Sequence, residues 1–440
     1  MHLTRSASRP LCVSRLRRPF RSSCSAGTEP CFWFEECPQR PSISASAFKL
    51  TPSDCEATMK ITGVNIYLLK SGRLHPVLVE ISTDEGITGA GEAGIAYGVG
   101  GTAAAGMIKD LSERFLIGKD PSRIEELWST MYDHSFWAKN GGAIIFAGIS
   151  AIEQALWDIK GKCLGVPVYE LFGGKIRDRV RAYANGWYGA ADTPDEFARA
   201  VERPLKEGYG ALKFYPLAQR VGSALQHVTR RSMSAEAIEL AYRRVKAVRD
   251  AAGPEIELMV DLSGGLTTDE TIRFCRKIGE LDICFVEEPC DPFDNGALKV
   301  ISEQIPLPIA VGERVYTRFG FRKIFELQAC GIIQPDIGTA GGLMETKKIC
   351  AMAEAYNMRV APHVCGSSLI ETATLQLEAN ITNFMIHEHY PAFKADDGYV
   401  EVLENPPSIS SGYFEMPNGP GLGAVLIKRN IEPYLWASCT

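Results

Sequence analysis

Leu258-Met259-Val260-Asp261, Phe285-Val286-Glu287-Glu288-Pro289 and Ile309-Ala310-Val311-Gly312-Glu313 are three short apolar runs, each closed by an acid. Asp261, Glu287 and Glu313 stand 26 residues apart in both intervals, and a helical pattern fills each gap. One strand, one helix and two loops occupy that length in a (β/α) barrel, whose active sites form at the C-terminal ends of the strands. Three unrelated acids at loop starts would not share such filled, equal gaps. Carboxylates gathered at one barrel mouth repel unless a cation neutralises them. The basic residue beside them, Arg314, is expected on the opposite strand face, because neighbouring strand residues point to opposite sides. All-oxygen ligation suits a hard ion such as Mg²⁺, which keeps positions open for substrate.

The same rhythm extends in both directions. Eight candidate strands run from 180–187 through 210–215, 256–261, 283–287, 308–313, 332–336 and 358–363 to 384–388, with amphipathic helices such as Ala235–Ala252 and Thr268–Leu281 between them. Eight parallel strands with intervening helices close a barrel. Before them, 59–92 alternates as a small antiparallel meander and Thr102 to about Gly165 is helical. The glycine-rich stretch 93–101 lacks the strand-then-helix context of a nucleotide fingerprint and is expected to be a mobile loop. After Glu388 the repeat stops. The remaining tail is expected to pack back on the N-terminal module, whose sheet is too small to stand alone. The expected divisions are therefore 59–178, 179–389 and 390–440.

A chain of 440 residues accommodates a barrel of about 250 residues and a second module. Its 45% hydrophobic and 23% charged content are those of a soluble globular protein. A net charge of −6 without a long basic run argues against nucleic acid as a partner, and no apolar stretch approaches membrane-spanning length. Residues 1–58 differ in kind: six arginines and no acid fall within Met1–Ser22, five of the thirteen cysteines lie in this leader, and no periodicity is visible. Such a start is either a transit peptide, which would place the protein in mitochondria, or a translation start set too far upstream. The second reading is favoured, because Met59-Lys60-Ile61-Thr62-Gly63-Val64 reads as a natural first strand. The remaining cysteines are scattered, several in apolar runs, as in a cytosolic enzyme with reduced core thiols.

His363 ends the seventh strand and Asp336 the sixth, 27 residues earlier. Adjacent strand ends come within hydrogen-bond reach, and a carboxylate accepting one ring N–H fixes the tautomer and raises basicity. A histidine in an apolar run is more often structural.

The motifs Val260-Asp261, Glu287-Glu288-Pro289, Gly312-Glu313-Arg314, Gln334-Pro335-Asp336 and Ala361-Pro362-His363 together resemble those of the enolase superfamily, mandelate racemase subgroup, over about residues 59–430. Tyr183-Ala184-Asn185-Gly186-Trp187-Tyr188 and Ala211-Leu212-Lys213-Phe214-Tyr215-Pro216 are most similar to aldonic-acid dehydratases of the gluconate and galactonate type. The resemblance implies a modified (β/α)7β barrel with an α+β N-terminal capping domain completed by the C-terminal tail. It implies one Mg²⁺ per subunit on Asp261, Glu287 and Glu313, the His363–Asp336 pair as general base, abstraction of the proton α to a carboxylate through an enediolate, and loss of water to a 2-keto-3-deoxy acid. The expected assembly is a cytoplasmic homo-oligomer acting on a small-molecule carboxylate, with no nucleic-acid or membrane partner.

Other roles follow from the same resemblance. Lys213 matches the first lysine of a Lys-x-Lys motif and is expected to polarise the substrate carboxylate. Tyr215 stands where racemases carry a second base; sharing a strand face with Lys213, it is expected in the mouth as a hydrogen-bond donor. Glu388 matches an acid that hydrogen-bonds the substrate carboxylate. Glu288 is expected to be structural, and His387 and His389 to be satisfied loop residues. His134, Phe136, Trp137, Lys139, Asn185 and Arg314 are candidate substrate contacts. Ser263 stands where galactonate dehydratases have a histidine acid, which leaves the leaving-group acid unassigned. A racemase, epimerase or cycloisomerase is the alternative, disfavoured by the missing second base. A non-catalytic sugar-acid-binding protein would be expected to have lost part of this set.

Overall fold

The structure, a computed structural model, describes residues 59–221, 224–226, 233–391 and 397–440. The expectations for 1–58 lie outside these residues. Apolar alternation produces β1 (Ile61–Leu68), β2 (Val77–Thr83) and β3 (Thr88–Ala93), an antiparallel meander with Val64 opposite Ile81 and Leu78 opposite Glu92. Then come α1 (Gly101–Leu111), α2 (Ile124–His134) and α3 (Ala143–Leu164). α3 is apolar nearly all round and correspondingly buried along most of its length.

After α4 (Val168–Leu171), strands and helices alternate: β4 (Arg179–Ala184), α5 (Pro194–Ala200), α6 (Glu202–Lys206) and β5 (Ala211–Phe214). A hairpin that the sequence reading did not anticipate, β6 (Gln219–Val221) and β7 (Ala224–Gln226), precedes α7 (Ala235–Ala252). The series continues through β8 (Glu257–Asp261), α8 (Thr268–Ile278), β9 (Ile283–Glu287), α9 (Asn295–Gln304), β10 (Ile309–Val311) and α10 (Thr317–Leu327). It ends with β11 (Ile332–Ile333), α11 (Leu343–Ala355), β12 (Arg359–Val360), α12 (Ser368–Glu378) and β13 (His387–His389).

The barrel strands pair in parallel. β13 on β4, with a parallel bridge from Val360 to Phe384, closes the ring. Seven βα units and an eighth strand make a (β/α)7β barrel. Helix starts are set by capping side chains: Thr193 and Thr267 form capping boxes with Glu196 and Glu270, and Asp294 and Ser234 accept Ala297 N and Ala237 N. The strands expected at 308–313, 332–336 and 358–363 are shorter than the apolar runs, because the chain leaves the ladder to carry polar residues into the mouth.

The last segment holds β14 (Ile409–Ser410), β15 (Tyr413–Glu415), α13 (Lys428–Ile431) and β16 (Leu435–Cys439). β15 pairs with β4, while β16 pairs antiparallel with β1 and makes the cap sheet four-stranded. Asp158 of α3 accepts Leu422 N at 2.8 Å and Ala90 N at 2.9 Å, so one buried carboxylate joins helix, sheet and tail.

Eight buried side chains fill the barrel interior as a separate cluster, one from each strand or its immediate flank: Tyr183, Ala211, Met259, Phe285, Ala310, Ile332, Ala361 and Ile386. Their position decides where the chemistry sits.

Candidate active site

Strand side chains two residues apart share a face. Two residues beyond that interior ring the sequence reads Asn185, Lys213, Asp261, Glu287, Gly312, Gln334, His363 and Glu388. The polar layer is thus the next storey of the same barrel, at the C-terminal strand ends. Gly312 is the exception. Its φ of 138° is left-handed, and a Cβ there would stand 2.9 Å from the Phe321 ring and 3.0 Å from Gln334 N. The chain therefore breaks its alternation, and Glu313 supplies the carboxylate one position later.

That break also corrects the expectation for Arg314. It does not point away: Nη2 lies 2.8 Å from Glu288 Oε2 and Nε 3.2 Å from Glu313 Oε1. Glu288, itself at φ 44°, also accepts Gly312 N at 2.9 Å and so fixes the turn that presents Glu313.

Nor is Arg314 the only cation at the carboxylates. Lys213 Nζ lies 2.7 Å from both oxygens of Glu287 and 2.8 Å from Glu388 Oε1. Burial opposes its charge, but Glu287 and Glu388 hold the ammonium well above its usual range. Gln334 Nε2 donates to Glu287 Oε2 at 2.5 Å, while Gln334 Oε1 is buried without a hydrogen-bond partner. Asp261 accepts Ser263 N at 2.7 Å and Ser263 Oγ at 2.8 Å. Burial raises Asp261, Glu287 and Glu313 above the ordinary carboxylate range, Glu287 to about 8 with Asp261, Glu388 and Glu313 adding to the effect.

Glu388 accepts from Lys213, from Asn185 Nδ2 at 2.9 Å and from Val364 N at 3.1 Å. Burial raises it, but Lys213, His363 and Asn185 prevail and bring it to about 2. Both oxygens of Glu388 thus accept hydrogen bonds in this arrangement.

His363 Nδ1 is 2.8 Å from Asp336 Oδ2, and its Nε2 is 3.5 Å from Glu313 Oε2. Asp336 Oδ1 accepts Gly338 N at 2.6 Å. Burial opposes charge on the ring, but the Asp336 hydrogen bond and the Glu388 and Glu313 charges push it up to about 10.

The remaining expected residues have varied surroundings. Tyr215 follows the end of β5 at Phe214, so strand alternation no longer fixes its direction; it is buried among the main core residues. His134 ends α2 and is exposed, while Phe136 and Trp137 are both 75% exposed and packed edge-on against each other. Lys139 pairs with Asp133. A cavity of about 530 Å³ does open between this part of the cap and the barrel, lined by Ala138, Asn140, Arg314, Tyr316 and Phe319 among others. His387 and His389 are not loop residues; they lie buried in β13, with Nδ1 on Glu378 and Glu371 of α12.

Residues 60–173 match the mandelate racemase / muconate lactonizing enzyme N-terminal domain, and residues 196–429 match the enolase C-terminal domain-like family. The chain belongs to the mandelate racemase subgroup of the enolase superfamily. D-galactonate dehydratase of Variovorax paradoxus (strain S110) is 36% identical over 380 residues, covering 85% of this chain and 94% of its own. D-galactonate dehydratase of Ralstonia pickettii (strain 12J) is 34% identical over 389 residues, covering 86% and 96%. A candidate dehydratase from Mesorhizobium loti has a crystal structure that is 98% identical, covers 87% of this chain and all of its own, and superposes with a TM-score of 0.85. An enolase-superfamily member from Salmonella Typhimurium is 37% identical with a TM-score of 0.80 and the same coverages. The protein is a hydro-lyase of this superfamily.

The superfamily implies a divalent cation. Among the described residues no three His, Cys, Asp or Glu side chains are posed together as a metal site, and Lys213 occupies both oxygens of Glu287. The donor chemistry nevertheless fits a hard ion: the buried Glu287 and the half-buried Asp261 and Glu313, with Asp261 and Glu313 both opposing ionisation of Glu287, beside the unpartnered oxygen of Gln334.

Proposed function

We propose that the protein dehydrates a sugar acid of the aldonate type, using Mg²⁺ held by Asp261, Glu287 and Glu313. The observation that carries the reading is the His363–Asp336 pair at 2.8 Å, opening through Nε2 onto the carboxylate layer. When bound, the ion would neutralise charge that develops on the substrate carboxylate. His363 Nε2 takes the α-proton, Asp336 holding the opposite ring nitrogen and hence the tautomer. That role needs an unprotonated Nε2, which calls for positive charge beside Glu313. The electron pair released from the α C–H bond moves into the carboxylate as an enediolate, then returns to form the Cα–Cβ double bond as the β C–O bond breaks. The hydroxyl leaves with a proton as water, and the enol becomes a 2-keto-3-deoxy acid. Lys213 and Asn185, which converge on Glu388, are suited to orient the substrate carboxylate beside it. Support for a sugar acid comes from the two D-galactonate dehydratases, aligned over nearly their whole length. Ser263 in place of an acid histidine is why the reading stops at the substrate class.

The test is a screen of the purified protein with Mg²⁺ against an acid-sugar library, detecting 2-keto-3-deoxy products. Turnover that His363→Asn abolishes is the expected result. Epimerised acids without dehydration would overturn it.

A further inference from the structure

Asp336 and His363 stand just beyond the adjacent strands β11 and β12, and the loop at each is held by one short segment of the cap. Glu92 and Ala93 end β3, and Gly94 follows it. Gly94 N donates to Gly338 O at 2.9 Å, and Gly338 N donates to Asp336 Oδ1 at 2.6 Å. The two glycines touch so closely that a Cβ on Gly94 would lie 3.0 Å from the Gly338 carbonyl carbon and 3.1 Å from Asp336 Oδ1. A Cβ on Gly338 would lie 2.6 Å from Gly94 N. On the other side, the Glu92 carboxylate accepts Ser367 N at 2.9 Å, Ser367 Oγ and Ile370 N at 3.2 Å, taking the orphan N–H groups that open α12 just after His363. The backbone of Glu92 is fixed in turn: Gln154 of α3 accepts its N–H at 3.2 Å and donates to its carbonyl at 2.9 Å. Glu92 and Gln154 are fully buried, and Asp336 is 2% exposed.

We infer that Glu92–Gly94 is a positioning element for the histidine–aspartate pair, a cap segment that sets the pair's geometry from outside the barrel. The inference rests on the reading of His363 as base for its effect on turnover, but the geometry of the pair can be measured without that reading. Neither Glu92 nor Gly94 touches the pair's reacting nitrogen, so both act through the two loops. Fixing a base within the last ångström of its working pose is worth up to about 10²-fold in rate. A contact that merely glued cap to barrel would lower stability and leave the folded enzyme's pair unchanged.

The experiment uses the full-length protein with two readouts. The first is the downfield proton resonance of His363 Nδ1–H, assigned by its loss in His363→Asn and so distinguished from those of His387 and His389. The second is kcat and KM with D-galactonate and D-gluconate in Mg²⁺. Gly94→Ala and Glu92→Ala should move the resonance upfield or remove it, and lower kcat about tenfold or more with KM little changed. Glu92→Gln, which keeps the shape and one acceptor oxygen, should recover part of both and stands in if Gly94→Ala fails to fold. Trp128→Phe removes a different cap–barrel bond, to Gly341 O at 2.8 Å, and should change neither readout. An unchanged resonance in folded Gly94→Ala, Glu92→Ala and Glu92→Gln would overturn the inference, as would an equal change in Trp128→Phe. Activity surviving in His363→Asn would instead overturn the base assignment, with the resonance still deciding the positioning claim.

Discussion

Lys213 Nζ lies 2.7 Å from each carboxylate oxygen of Glu287. Both side chains are 2% exposed or less, so the ammonium depends on its carboxylate partners, Glu287 and Glu388, for its charge. Removing one partner of such a pair typically costs about 3–5 kcal/mol, because the survivor remains buried and uncompensated. Lys213→Met in metal-free buffer should therefore lower the urea midpoint markedly, and Lys213→Met combined with Glu287→Gln should be less destabilised than the sum of the single changes. Additive single effects would show that the pair is not coupled.

A divalent ion should bind at the Asp261, Glu287 and Glu313 carboxylates. Calorimetric titration with Mg²⁺ or Mn²⁺ should give one site per chain, weakened at least about tenfold in Glu287→Gln and in Asp261→Asn. Activity lost in EDTA should return with Mg²⁺. Full turnover in EDTA, or undiminished metal binding in both variants, would exclude these ligands.

Proton abstraction should be one-sided. His363→Asn should lose elimination and α-proton exchange with D₂O by about 10²-fold or more, the usual contribution of a general base. Asp336→Asn should lose a similar or smaller factor through tautomer and basicity. Tyr215→Phe should keep exchange even if elimination slows. Exchange that survives in His363→Asn and vanishes in Tyr215→Phe would move the base to β5.

Glu153 gives the fold a pH dependence remote from the site. Its carboxylate accepts Leu343 N, Met344 N and Trp157 Nε1, yet burial pushes it up to about 8. The folded form thus holds a proton that the unfolded chain releases near 4.5. Between those values the native state binds more protons, so stability falls as pH rises, by at most about 1.4 kcal/mol per pH unit. Glu153→Gln should show a flatter fall in urea-unfolding free energy between pH 5 and 8. A slope equal to that of the parent protein would refute the assignment.

The repeat of 26 residues was legible because β8, β9 and β10 are built alike, and the helices at 235–252 and 268–278 carry clear amphipathic periods. What could be read least was direction at strand ends. Alternation holds from Met259 to Asp261 and from Phe285 to Glu287, but fails at Gly312, where a left-handed φ delivers Glu313 to the layer one position late and turns Arg314 from its expected face. A second gap is pairing across distance: the sequence shows Lys213 and Glu388 as separate matches, and only folding brings one ammonium between Glu287 and Glu388. The roles of Glu92 and Glu153 were hidden for the same reason. Each is an acid on a cap element whose partners are backbone N–H groups some 190 residues or more away, and such donors leave no mark in side-chain patterning.

The ring of Tyr183, Ala211, Met259, Phe285, Ala310, Ile332, Ala361 and Ile386 also governs traffic. Because each is at most 1% exposed, the barrel has a stopper and not a drain, and whatever enters the cup leaves by the rim it crossed. Substrate arriving, water departing and product escaping therefore share one doorway, and slowing any of them at the rim delays all three.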